Sequence, residues 1–157
     1  MRRMKMTVSA CMIAVLAIPV AALANADLES SAPQDPVLAA VKEATSRQDF
    51  VKAVGILRQA LAKAPGNPEY HNLYAYTVRK GPNPDMDLVF KHYHEALRLA
   101  PKHRGAHEYI GEAYLMVGNV QKAREHLAQL DRLCFFGCEE YSSLKKAIGD
   151  YEAKGAR

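Results

Sequence analysis

Two groups of residues in this 157-residue chain have the types and spacings for chemistry: Cys134-Phe-Phe-Gly-Cys138 and a set of six histidines. Two thiols separated by three residues can close a disulfide, and Gly137 gives the connecting segment room for a sharp turn. Closing so short a loop is worth roughly 2 kcal/mol in the chain-entropy account. The spacing is not the Cys-x-x-Cys of thioredoxin-like redox sites, and no strand-helix pattern surrounds it. The competing reading is a metal or redox carrier that uses Cys134 and Cys138, with His126 or His107 as added ligands. His92 and His94 lie close in sequence and His103 and His107 are four apart, yet no His-Glu-x-x-His or Cys-x-x-Cys spacing occurs. No metal site or cofactor is therefore assigned. A nucleophile elbow, a phosphate loop and a dinucleotide fingerprint are likewise missing, so the chain is read as non-catalytic.

The amino terminus says where this chemistry would take place. Arg2, Arg3 and Lys5 precede the apolar run Val8 to Leu23, and Ala24-Asn25-Ala26 has the small-x-small form that signal peptidase accepts. Residues 1–26 are read as a signal peptide cleaved after Ala26, which implies a periplasmic protein and an oxidising compartment for the cysteines. That segment holds three of the 21 basic residues and none of the 17 acidic ones, so its removal takes the net charge from +4 to +1. The basic character belongs mainly to the export signal, which argues against nucleic acid as a partner. Membrane contact is expected only through an uncleaved signal segment. Cys11 leaves with that segment, and the pair Cys134 and Cys138 remains.

The rest of the chain must position these groups, and its apolar residues recur at helical spacing. Residues 27–34 are a polar lead-in. Asp35-Pro36 is a helix start, followed by the stripe Val37, Leu38, Val41 and Ala44. After Arg47-Gln48-Asp49, the residues Phe50, Ala53, Val54, Leu57, Ala60 and Leu61 form a second helix that Ala64-Pro65-Gly66-Asn67 stops. Ala60-Leu61 with Ala64-Pro65 returns 36 residues later as Ala96-Leu97 with Ala100-Pro101, and His71, Ala75 and Val78 map by 36 onto His107, Gly111 and Tyr114. Val89 and Tyr93 map by 34 onto Ala123 and Leu127, which places two extra residues in a middle loop over Gly81 to Asp87. Three units result: 34–67, 68–103 and 104–137. In the third, Gly111 and Ala123 are the small residues that let its two helices approach, while Tyr114 and Leu127 fill the space beside them. Glu139-Glu140 opens a last helix, to about Ala153, whose face of Tyr141, Leu144, Ile148 and Tyr151 caps the stack within residues 138–157.

The third unit resembles a tetratricopeptide repeat. The repeat's signature of Leu-Gly, Tyr, Ala and an aromatic is matched by Ile110-Gly111, Tyr114, Ala123 and Leu127, with Gly118 at the turn. Ala96 and Pro101 match in the second unit, where Tyr74-Ala75 stands for Leu-Gly, and the resemblance covers about two thirds of the chain. The third unit departs from the pattern at Leu130, in a small-residue position, and at Phe135, in place of the closing Pro. The segments from His103 to Leu115 and from Leu133 to Tyr141 also resemble exported bacterial tetratricopeptide-repeat proteins. The resemblance implies an all-α, right-handed superhelical stack of three helix pairs plus a C-terminal capping helix. It also implies that first helices line a concave groove that takes an extended peptide or a helix. Asn72, Tyr76, Arg79, Glu108, Glu112 and Leu115 then form the groove, for a protein or peptide partner in the cell envelope, and homo-oligomers stay open. His71 and His107 fall where the family carries a packing side chain, whereas His92, His94 and His103 are expected to be solvated.

Overall fold

Capping chemistry divides the chain into helices, and the computed structural model, which describes residues 35–155, shows where. Seven helices follow one another: α1 (Pro36–Ser46), α2 (Phe50–Lys63), α3 (Pro68–Lys80), α4 (Met86–Leu99), α5 (Arg104–Met116), α6 (Val120–Leu133) and α7 (Glu139–Gly155). The described residues contain no strand, so the expected all-α class holds. The signal segment 1–26, its cleavage site and the lead-in 27–34 lie outside the described residues. Among the described residues no helix is long and apolar enough to cross a membrane.

The helix starts share one device. Asp49, Asp85 and Asn119 cap α2, α4 and α6, each accepting a hydrogen bond from the backbone N–H three residues on, at Lys52, Leu88 and Lys122. These positions recur at the same 36- and 34-residue offsets as the apolar residues. Asp85 at the cap makes the middle loop shorter than expected, with Asp87 already inside the first turn of α4. Asp35 and Asn67 cap α1 and α3 ahead of Pro36 and Pro68, whose missing N–H costs nothing in a first turn. Gly118 holds φ +78° in the α5–α6 turn, and Gln48 holds φ +60° at the equivalent place between α1 and α2.

Every helix packs on its neighbours in sequence, and α5 also packs on both α3 and α7. The odd-numbered helices α3, α5 and α7 therefore form a row. The core is serial: Val41 and Leu57 centre one cluster, Tyr93 and Ile110 a second, Leu130 and Leu144 a third. Burying each such side chain stabilises by about 1.5–3 kcal/mol, so each helix owes its place to the next. One expectation changes here. A side chain on Gly111 would run into Leu144, so Gly111 makes room for α7, whereas the sequence reading had it admit α6.

Candidate functional site

The row of α3, α5 and α7 presents two adjoining surfaces. The first is a cleft of about 300 Å³ lined by Val41, Lys42 and Thr45 of α1, Leu73 and Tyr76 of α3, and Tyr109 of α5. The Tyr76 and Tyr109 rings lie 4.9 Å apart between centroids. The second is a set of carboxylates on α5 and α7, in which Glu112, Glu140 and Glu139 all act on Glu108. Glu108 is half buried, and burial first, then Glu112 and Glu140, push its carboxyl up to about 7. Burial, followed by the charge on Glu108, also raises the Tyr109 phenol to about 12.

Of the six residues expected to line a groove, three are unavailable to a partner. Asn72 is 2% exposed, Arg79 6% and Leu115 8%, because each faces the packing between helices. Arg79 is committed within the protein: Nη2 donates to Glu112 at 2.7 Å, Nε donates to the Tyr93 hydroxyl at 3.3 Å, and the Tyr76 and Tyr109 rings flank the guanidinium. Burial works against its charge, but Tyr93 and Glu112 more than offset this and hold the group above its ordinary value. Arg79 thus pins α3 to α4 and α5, and the aromatic cleft keeps its shape partly through it. Asn72 donates a long bond to Glu69, and its buried Oδ1 has no partner among the described residues. Tyr76, Glu108 and Glu112 remain accessible, and Tyr109 joins them.

The cysteines close a disulfide between the C-cap of α6 and the residue before α7. Bonded sulfurs are not thiolate ligands, so in this bonded form the pair offers a metal no thiolate, although Glu140 lies near it. Gly137 turns the loop with φ +84°, and Phe135 and Phe136 stand 89% and 96% exposed at its tip.

His107 and His126, the expected added ligands, meet each other and do not join the cysteines. His107 Nε2–H donates to the Pro101 carbonyl at 3.0 Å, and its Nδ1 lies 3.0 Å from Nδ1 of His126. One unit earlier, His71 Nε2–H donates to the Pro65 carbonyl at 2.9 Å and its Nδ1 lies 2.9 Å from Nδ1 of His92. A carbonyl only accepts, so the Nε2 atoms of His71 and His107 carry hydrogen, and the bridging proton sits on His92 and His126. Burial, then the facing histidine, push His92 and His126 down to about 4, which keeps both neutral at pH 7. His92 is therefore not solvated as expected. Neither is His103, whose Nδ1 accepts from the Ala106 N–H at the start of α5 while Nε2–H donates to Glu69 at 2.7 Å. A signal for the pairs lay in the sequence: His71 and Pro65 recur at 36 and His92 at 34, the offsets of the repeat. Compared with known proteins, the chain matches no family model and no curated protein.

Proposed function

We propose that this chain is a non-catalytic scaffold of the tetratricopeptide-repeat kind, exported to the periplasm, that binds a protein or peptide segment along the row of α3, α5 and α7. The observation that carries this reading is the aromatic cleft of Tyr76 and Tyr109 adjoining Glu108, which forms no ion pair among the described residues. An apolar side chain in the cleft would exchange water for ring contacts. A Lys or Arg a few residues away would reach Glu108, restore its ionised form and relieve the repulsion from Glu112 and Glu140. The partner's chemistry is then an apolar or aromatic anchor next to a cation, with the internal repetition supplying the extended surface.

A displayed peptide library panned against the purified chain tests this. Selected sequences should pair an aromatic or aliphatic residue with Lys or Arg. Tyr76→Ala combined with Glu108→Gln should weaken them at least tenfold, about 1.4 kcal/mol. Peptides that bind the double variant as well as the parent would remove the site from this row. Export is read separately, by recovering the protein from the periplasmic fraction with Asp27 as its first residue.

A further inference from the structure

We propose that His107 and His126, in a cleft that Glu125 also lines, bind a divalent first-row transition ion, and that His71 and His92 form a weaker copy of the site one unit earlier. Neither pair lines the Tyr76–Tyr109 cleft, so this does not depend on the peptide-binding reading.

Geometry is the first support. Two imidazole nitrogens on one ion at about 2.0–2.1 Å lie about 2.9 Å apart when they subtend a right angle and about 3.3 Å apart in a tetrahedron. The two Nδ1 atoms are 3.0 Å apart in one pair and 2.9 Å in the other. To hold an ion the rings need part by at most a few tenths of an ångström and turn so that both Nδ1 lone pairs converge on a point beside the line that joins them. Orientation is the second. A ligating histidine is held by donating its other N–H to a carbonyl or carboxylate, and His107 and His71 donate Nε2–H to Pro101 and Pro65. Each of those two rings thereby aims an Nδ1 lone pair at its partner. Tyr114 stacks on His126 at 5.7 Å and Tyr74 packs on His92 at 4.4 Å, which steadies the second ring as well.

Access ranks the two copies. A cleft of about 360 Å³ opens on His107 and His126 and is also lined by Glu125 and Gln129, so water, and Glu125 once it releases Lys122, can complete the ion's coordination. At the earlier copy the nearby carboxylate, Glu95, is held by two 2.7 Å bonds from Arg98, against the single 2.8 Å bond that Lys122 donates to Glu125, and is less free to join. Binding forms two metal–Nδ1 bonds and breaks one Nδ1–H bond, on His126 or His92. The proton passes through water to Nε2 of the same ring, so each imidazole stays neutral and no redox partner is needed.

A hydrogen-bonded brace needs one lone pair and one proton between the rings, whereas a metal site needs two lone pairs. Titration of the purified chain with Zn²⁺ and Ni²⁺ by calorimetry tells them apart. Two sites per chain are expected, the tighter weakened at least tenfold by His126→Gln and the weaker lost in His92→Gln, with His94→Gln unchanged. Glu125→Gln, which leaves the rings untouched, should weaken the tighter site several-fold. Imidazole nitrogen resonances in the Zn²⁺ complex should shift at Nδ1 of His107 and His126 first. Absence of binding at millimolar ion would overturn the proposal. So would binding that survives the double variant His92→Gln with His126→Gln, or shifts centred on His94 and His103.

Discussion

Gly111→Ala and Gly55→Ala make the same chemical change in two helix interiors, and the packing gives them opposite signs. Both remove a glycine that destabilises a helix by about 0.5–1 kcal/mol relative to alanine. At Gly55, in α2, an added Cβ meets no atom within 4 Å, so that gain should appear undiminished. At Gly111 the new Cβ would lie 2.6 and 2.8 Å from the two δ-methyls of Leu144, against a comfortable carbon–carbon separation of about 3.5–4.0 Å. Those methyls are the free end of a side chain, but Leu144 is fully buried and any shift of about 1 Å drives it into the packing around Leu130 and Ile148. Overpacking of this kind costs about 1–3 kcal/mol, leaving Gly111→Ala destabilised by about 1–2 kcal/mol. Thermal melting followed by circular dichroism should show Tm raised by about 2–4 °C for Gly55→Ala and lowered by about 4–8 °C for Gly111→Ala. The cycle through Leu144→Ala isolates the cause: with the methyls gone, Gly111→Ala should turn stabilising, a coupling of more than about 1 kcal/mol. If Gly111→Ala raises Tm as Gly55→Ala does, or the cycle is additive, the docking of α7 on α5 has been misread.

Glu108 makes stability depend on pH. Its carboxyl is raised from 4.5 to about 7, so the folded state loses stability as pH rises from about 4.5 through 7. Because the group is half exposed, roughly 1 kcal/mol is expected in place of the ~3 that the full shift would imply. Glu108→Gln should therefore melt higher than the parent at pH 8 and like it at pH 4; a constant difference across that range would contradict the assignment. Replacing Cys134 and Cys138 together by Ser should cost roughly 2 kcal/mol, read from denaturant midpoints, while selected peptides keep their affinity because no residue of the loop lines the cleft. Lost affinity with unchanged stability would put the loop in the site. Gln48→Gly should stabilise by about 0.5–1 kcal/mol by relieving the positive φ that Gly118 accommodates freely in the equivalent turn, and a lower Tm would refute that equivalence.

The helices were legible because what makes them is local. A cap such as Asp35, a proline such as Pro36 and apolar residues three and four apart act within one turn, so seven helices could be placed from spacing alone. The disulfide was legible for the same reason, its partners being four positions apart. Which way a side chain points between helices is a different matter. Arg79 is expected to face a partner in the groove, yet packing of α3 against α4 and α5 buries it among Tyr93, Glu112 and Tyr109. Gly111 announces a close approach without naming the helix that approaches, and the pairs His71–His92 and His107–His126 require two helices to lie side by side in one register. The sequence by itself determined the helices, their caps and their repetition, since hydrogen bonds within a turn depend only on neighbours in the chain. Only the tertiary structure decided which charges are spent inside and which remain for a partner, because burial depends on the helices packed alongside, and those come from distant parts of the chain.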